Sequence, residues 1–202
     1  MANNRLRIRQ ILAWLMTEVM FGRCHYVIVR GLSRRDALAS AAFRTAPRFF
    51  AITRAAHGDV AFLALARIYD RTSAASVHGL FSSALREEKT FKFGTGADIR
   101  KAVQESKAAI AGFDSTLRAI RTRRNQTQAH LDARPFVNPA QYIAAGRVSY
   151  RQISELFDRT EEILNKFSLL YDGKAVPLHL EGANDYEQAI NLLAQRLPDL
   201  AT

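Results

Sequence analysis

Cysteine is almost absent from the sequence, and its absence excludes several classes of protein. The one cysteine, Cys24, has no partner for an internal disulfide, and disulfide frameworks belong to oxidising compartments. No group of cysteine and histidine residues has the spacing of a zinc site. We therefore expect a protein of a reducing compartment that uses neither a metal nor another cofactor, with Cys24 as a small side chain in the core.

Long apolar runs are also missing. A membrane-spanning helix needs about 18 or more consecutive apolar residues, and no stretch of the sequence has them without interruption. The N-terminus begins with arginines and an apolar run, as a targeting peptide does, but Thr17 and Glu18 interrupt the run and no small-residue cleavage site follows. The sequence predicts an amphipathic first helix in a soluble, cytoplasmic protein. The alternatives are a mitochondrial transit peptide and a helix on a membrane surface.

Acidic residues are scarce in the first three quarters of the chain. The net charge is +10 overall, and residues 150–202 hold five basic against nine acidic residues, so residues 1–149 carry +14. Positive charge of this size attracts polyanions, because neutralising phosphates releases their counterions. The pattern favours a nucleic-acid partner. An arginine-rich surface that is simply solvated is the alternative.

Apolar residues recur with the period of an α-helix along most of the sequence. Capping residues predict helix starts at five positions, namely Ser33 (with Asp36), Asp59, Ser73, Thr95 and Ser149, with a short final helix from Asn184. Breaks are expected at Pro47 and at Gly58. The length suits one domain over residues 1–202. We predict an all-α fold with a core over about residues 5–171 and a C-terminal extension over 172–202.

The longest predicted helix runs from about Asp98 to Leu131. One of its faces is formed by small and apolar residues: Ile99, Ala102, Val103, Ser106, Ile110, Phe113, Leu117 and Ile120. Arg124 falls on the same stripe. A desolvated, unpaired charge is costly, so Arg124 either has a partner in the core or faces an anionic ligand or a second subunit.

The end of this helix resembles the ribonuclease-associated motif of HEPN domains, in which an arginine and a polar residue precede a histidine. Arg124 and Asn125 are followed by His130 in the Arg-x5-His form, and an acidic residue, Asp132, lies two positions after the histidine. Together with the upstream segment 65–71 (LARIYDR), this resembles the abortive-infection U-type branch of the superfamily. The resemblance covers most of residues 5–171.

The resemblance implies an up-and-down helical bundle that forms a homodimer with both motifs facing a shared cleft. It further implies a metal-independent endoribonuclease in phage defence, or the toxin of a toxin–antitoxin pair, with an antitoxin or a nucleotidyltransferase-like protein as partner. The alternatives are a non-catalytic HEPN-like scaffold that binds RNA or a protein, and a helical DNA-binding regulator. No helix-turn-helix spacing supports the last of these.

The two motif residues carry chemistry that suits RNA. The pKa of histidine lies near neutrality, so His130 can take up the proton of the 2′-hydroxyl. Arg124 stays charged and can bind two phosphate oxygens at once. DNA has no 2′-hydroxyl, so this chemistry predicts an RNA substrate. On an ideal helix the two residues lie about 120° apart and about 9 Å along the axis, so either the helix is irregular over 126–128 or two chains assemble the site.

The roles of three residues in or beside the motif stay open. Arg123 lies almost on the face of His130 and competes with Arg124 for the phosphate. Asn125 orients the histidine or a phosphate, or is a solvated amide. Asp132 fixes the ring of His130 or bonds a nearby arginine.

Three further residues are candidates for support or RNA binding. We expect Asp70 to hold Arg124 in place from a neighbouring helix, and we place Arg67 and Arg121 in the RNA-binding surface. Solvated pairs between Arg67 and its neighbours Asp70 and Arg71 are the structural alternative. The remaining histidines are expected to be ordinary surface or core residues: His25, His57, His78 and His179.

Overall fold

The computed structural model describes residues 7–34, 36–128, 147–176, 178 and 185–196. Within these ranges the chain forms eight α-helices and one 3₁₀ turn, and no β-strand. The helices are α1 (Ile8–Gly31), α2 (Ala37–Thr45), α3 (Pro47–Ile68), α4 (Val77–Arg86), α5 (Gly96–Ala111), α6 (Asp114–Gln128), α7 (Tyr150–Asp172) and α8 (Asp185–Arg196); the 3₁₀ turn is Glu88–Thr90. The predicted all-α, up-and-down bundle with a short C-terminal helical extension is confirmed.

The centre of the bundle is α1, which packs against α3, α4 and α7. Its contacts with α3 run antiparallel, since Glu18 pairs with Arg67 and the rings of His25 and His57 touch farther along. The largest fully buried side chains come from α4 and α7 and include Phe81, Phe157 and Phe167. Burial of apolar side chains of this size supplies most of the stability of such a bundle.

The C-terminal extension packs on the second helix. Ile190 of α8 shares a small apolar cluster with Leu32, Ala39 and Ala42. The ring of Tyr186 lies so close to Gly31 that a β-carbon there would stand 1.8 Å from its Cε2 atom. The extension therefore covers the end of α1 and the face of α2.

The predicted break at Gly58 is wrong, because α3 continues through it from Pro47 to Ile68. A glycine inside a helix costs only about 1 kcal/mol. The part of α3 that follows Gly58 buries Ala61, Phe62 and Leu65 in the core, and this burial outweighs that cost. Asp59 is therefore a residue in the middle of a helix and caps nothing.

The predicted helix from Asp98 to Leu131 is two helices. A turn at Gly112 and Phe113 separates them, and the amide of Phe113 donates to the carbonyl of Ile110 at 2.8 Å. The turn redirects the chain, since α5 packs on α4 and α7 while α6 packs on α3. The apolar stripe is nevertheless buried on both sides of the turn, as Ile110 and Leu117 show. Leu131 lies outside the described residues.

Two helix starts differ from the prediction by three residues. Asp36 caps α2 by accepting from the amide of Ala39 at 3.0 Å, and Ser76 caps α4 by accepting from Gly79 at 3.0 Å. Ser33 instead donates to the carbonyl of Val29. The capping boxes predicted at Thr95 and Ser149 are present.

One helix among the described residues, α3, is long and apolar enough to cross a membrane by length and composition alone. Its most apolar window has a mean hydropathy of 1.3, and 33% of that window is buried inside the bundle. Its second half forms part of the core described above. Its first half exposes Phe49 and Ile52, at 63% and 70% of their surface.

Gly22 provides a test of how α1 packs. A β-carbon at Gly22 would stand 2.7 Å from the Cβ of Ala64 and 3.0 Å from the ring of Phe157, so Gly22→Ala is expected to destabilise the protein by about 1–3 kcal/mol through overpacking. Urea unfolding measures the change. Gly112→Ala is the matched control, because its nearest neighbour would be a carbonyl at an ordinary 3.6 Å and alanine tolerates its backbone angles. Equal stability of the two variants would contradict this packing.

Candidate functional site

The arginines near the end of α6 point in different directions. Successive residues on a helix lie 100° apart, so Arg121 and Arg124 share one side while Arg123 leaves the helix on another. All three are partly buried. The helix remains regular to Gln128, so the structure shows no irregularity over the described part of the motif.

Arg124 is held by Asp70. Its Nη1 atom lies 3.4 Å from Oδ2 of Asp70, and each side chain is 28% exposed. Its Nε atom donates to the side-chain oxygen of Asn125 at 3.3 Å. The guanidinium is thus oriented and still reachable by a ligand. A charge partner and partial exposure of this kind offset part of the cost of placing an arginine on an apolar stripe.

Asp70 itself is fixed by the turn that follows α3 rather than by a helix. Its Oδ1 atom accepts from the amide of Thr72 at 2.8 Å and from its hydroxyl at 2.7 Å. These hydrogen bonds, and then the charge of Arg124, lower the pKa of Asp70. The carboxylate therefore stays ionised and keeps one oxygen for Arg124.

Arg123 has a different environment from Arg124. Its Nη2 atom lies 3.3 Å from Oδ1 of Asp59, and its Cζ atom lies 4.0 Å from the centre of the Phe62 ring, a cation–π distance. It lines a pocket of about 200 Å³ together with Arg54 and Tyr150. Arg123 and Arg124, the two candidates for the motif arginine, therefore lie in two different environments.

The other predicted residues are not all brought together. Arg67 points towards α1, where its Nε and Nη2 atoms lie 2.9 and 2.8 Å from a carboxylate oxygen of Glu18. Arg121 donates from Nε to the carbonyl of Leu117 at 3.2 Å. His130 and Asp132 lie outside the described residues. No group of three or more metal-ligating side chains occurs in the described part of the chain.

His78 is expected from the sequence to be an ordinary surface or core residue. This residue stands in the first turn of α4 and is partly buried, with its ring 6.3 Å from that of Phe81. Burial, and then the charges of Arg71, Arg121 and Lys107, lower its pKa.

His25 and His57 also contact each other, which the sequence did not indicate. Their Nδ1 atoms lie 2.8 Å apart across the interface of α1 and α3. Burial, and then the neighbouring His57, lower the pKa of His25. His57 precedes Asp70 in the sequence by more than three helical turns, so the histidine pair lies well apart from the Asp70 turn along α3.

Asp70→Asn is expected to make stability less dependent on pH in acid. The pKa of Asp70 is lower in the folded state than its ordinary 3.8, so ionised Asp70 stabilises the fold above 3.8 and this contribution is lost as the pH falls through the folded-state pKa. Wild type should be more stable than the variant at neutral pH and lose that advantage as the pH falls below 3.8 and through the lower folded-state pKa. Urea unfolding across this range measures it. A constant difference would contradict the assignment.

Comparison with known families supports the resemblance. The model of the HEPN family AbiU2 matches residues 8–192, which is nearly the whole chain. No curated protein matches, and neither does a solved structure. The match spans α1 to α8 and includes the Asp70 turn, the arginines of α6 and the motif histidine. The chain belongs to the AbiU2 family of HEPN proteins.

Proposed function

We propose that the protein is a metal-independent endoribonuclease of the HEPN type, acting in phage defence or as the toxin of a toxin–antitoxin pair. The observation that carries the proposal is the placement of Arg124. Its guanidinium is oriented by Asp70 and Asn125 and remains partly exposed, six residues before the motif histidine. An arginine held in this way is suited to receive a phosphate.

The chemistry divides between two residues. Arg124 stabilises the charge that develops on the phosphate oxygens, and His130 takes the proton from the 2′-hydroxyl of the RNA. The 2′-oxygen then attacks the adjacent phosphorus and expels the 5′-oxygen of the next nucleotide, which takes a proton from water, and His130 returns its proton to the solvent. The products are a 2′,3′-cyclic phosphate and a 5′-hydroxyl end.

The surrounding residues support this reaction. Asp70 orients Arg124, and Asn125 holds its Nε atom. Arg121, on the same side of α6, adds a second positive charge for the RNA backbone. In this proposal Asp132 fixes the ring of His130. Arg67 belongs to the RNA-binding surface. Arg123 stabilises the contact of α6 with α3 and is not the phosphate ligand in this proposal.

The proposal extends to the partners, which the family resemblance and the charge support. RNA is the substrate, and a cytoplasmic homodimer places two motifs in one cleft. The partner protein is an antitoxin or a nucleotidyltransferase-like protein. The described apolar stripe of α5 and α6 is buried within one chain, so it supports no dimer contact, and the proposal of a dimer rests on the resemblance.

Sedimentation tests the dimer. We expect a dimer at micromolar concentration, because a ribonuclease whose paired motifs share a cleft needs both copies. The matched measurement is cleavage at decreasing protein concentration, in which the specific activity should fall as the dimer dissociates. A stable monomer whose specific activity does not depend on concentration would contradict this part of the proposal.

A further inference from the structure

Two large apolar side chains project from the first half of α3. Phe49 and Ile52 are 63% and 70% exposed, and residues three apart lie on the same face of a helix. Ala55 and Ala56, one turn farther on, are exposed as well. Adjacent exposed apolar side chains mark an interaction surface, whereas single ones are ordinary. This face of α3 is therefore a candidate docking surface.

The α2–α3 hairpin, residues 37–58, holds these side chains on a rigid support. The rings of Phe43 and Phe50 lie 5.0 Å apart, and both pack against the small apolar cluster that includes Ile190. Phe49 meets Phe50 edge-on, with ring centres 5.3 Å apart. Because Phe50 is turned inwards to the cluster and successive residues on a helix lie 100° apart, Phe49 points outwards.

All the formal charge on the hairpin is positive. Arg44 lies near the end of α2, and Arg48 and Arg54 lie in the first half of α3; all three side chains are exposed. The sequence has no acidic residue from 37 to 58. Guanidinium groups stay charged at any physiological pH. The hairpin therefore presents apolar surface and positive charge together.

The acidic residues that flank the hairpin in sequence are paired with other arginines. Asp36 lies 2.7 Å from Nε of Arg34. Asp59 lies 3.3 Å from Nη2 of Arg123. Since both carboxylates are matched by arginines outside the hairpin, the positive charge of the hairpin itself stays unbalanced. Its charge is complementary to an anionic partner.

We propose that the face formed by Phe49 and Ile52 docks on an anionic lipid bilayer. The interface of a bilayer takes up apolar side chains beneath its headgroups and attracts arginines through its anionic lipids. Phe49 and Ile52 enter the interface, while Arg44 and Arg48 bind headgroup phosphates. The contact is peripheral, because the second half of α3 is buried in the core of the bundle. This inference does not depend on the proposed ribonuclease activity.

Other occupants use the face less completely. A second copy of the chain would bring the same unbalanced arginines against each other, and like charges repel. RNA offers phosphates to the arginines and a base to stack on Phe49, but Ile52 has no ring for stacking. A protein would need an apolar pocket with an acidic rim, shaped to this face. A bilayer engages both apolar side chains and the arginines and requires no shaped partner.

Phe93 provides a matched control at the other end of the bundle. The hairpin packs on Leu32, just beyond the end of α1. Phe93 donates its amide to the carbonyl of Leu170, near the end of α7, and α7 runs antiparallel to α1 because Arg23 pairs with Asp158 and Tyr26 meets Tyr150. The 24 residues of α1 separate the two ends by about 36 Å. Phe93 is 63% exposed, as Phe49 is.

Vesicle sedimentation tests the inference on the full chain. We expect the protein to bind vesicles of phosphatidylcholine and phosphatidylglycerol at least about tenfold more tightly than vesicles of phosphatidylcholine alone. The double variant Phe49→Ala, Ile52→Ala keeps the net charge and should bind the anionic vesicles about tenfold or more weakly than wild type. Phe93→Ala should bind them as wild type does.

A second pair of variants tests the role of charge. Arg44→Gln together with Arg48→Gln should weaken binding to the anionic vesicles by about tenfold or more. Lys101→Gln together with Lys107→Gln removes the same charge from exposed positions of α5 and should have a clearly smaller effect. Equal losses in the two pairs would overturn the assignment of the headgroup contacts to the hairpin.

Fluorescence locates the contact. Phe49→Trp should shift the emission maximum to shorter wavelength when anionic vesicles are added, because the indole leaves water. Phe93→Trp should show no such shift, and the native Trp14 is common to both proteins. A shift at position 93 with none at 49 would overturn the inference.

The remaining outcomes name the other occupants, and each of them would overturn the inference. Equal vesicle binding by wild type and by Phe49→Ala, Ile52→Ala means that only the general positive charge acts. A loss of single-stranded RNA affinity in that variant, with vesicle binding intact, assigns the face to RNA. A change from dimer to monomer, with vesicle binding intact, assigns it to a second copy. No vesicle binding by wild type contradicts the inference outright. None of these results depends on RNA cleavage, so this inference and the proposed function fail separately.

Discussion

His130→Ala is expected to slow RNA cleavage by about two to four orders of magnitude, the usual contribution of a positioned acid–base group. Arg124→Ala is expected to lose about 10²- to 10³-fold, because it removes a donor that stabilises the developing charge on the phosphate. RNA binding should largely survive in His130→Ala. Single-turnover cleavage and a binding titration at the same ionic strength measure both quantities.

Arg123→Ala is the matched control within the same helix. The Arg123 guanidinium lies on Phe62 and against Asp59, so its loss should lower stability and change the cleavage rate much less than the loss of Arg124. The reverse order, in which Arg123→Ala is inactive and Arg124→Ala is active, would reassign the motif arginine. It would leave the ribonuclease proposal intact.

RNA affinity is expected to fall by about 10²- to 10³-fold between about 50 and 200 mM salt, because binding releases counterions from several phosphates. The excess of +14 on residues 1–149 and the exposed side chains of Arg118 and Lys107 supply the contacts. Arg118→Ala should reduce the slope of the logarithm of the affinity against the logarithm of the salt concentration by about one. It should weaken binding to all RNA sequences alike. Affinity that does not change with salt would remove the electrostatic argument.

The fold was predictable where local chemistry and packing agree. The capping boxes at Thr95 and Ser149 depend on residues three positions apart, and the structure contains both. Gly58 and Gly112 show the limit, since the same residue type continues one helix and ends another. Packing decides between these outcomes: the residues beyond Gly58 are buried in the core, whereas the helix beyond Gly112 packs on a different neighbour, α3, from the helix before it.

The site was predictable in part for a similar reason. Arg124 falls on an apolar stripe of the sequence, which predicts that this arginine has a partner. In the structure that partner is Asp70. The different surroundings of Arg123 and Arg124 depend on contacts between distant helices, and no local pattern in the sequence reports those. The roles of His130, Asp132 and the other site residues stay predictions.

The central claim is that this chain cleaves RNA with its own side chains and the 2′-hydroxyl of the substrate. The most direct measurement is the chemical identity of the ends left when purified wild-type protein acts on a broad panel of RNAs in EDTA. We predict 2′,3′-cyclic phosphate and 5′-hydroxyl ends at an undiminished rate, and the same ends formed about two to four orders of magnitude more slowly with His130→Ala. Intact RNA throughout the panel, while expression of the protein still slows growth in a His130-independent way, would contradict the claim and favour a non-catalytic HEPN-like scaffold that binds RNA or a partner protein.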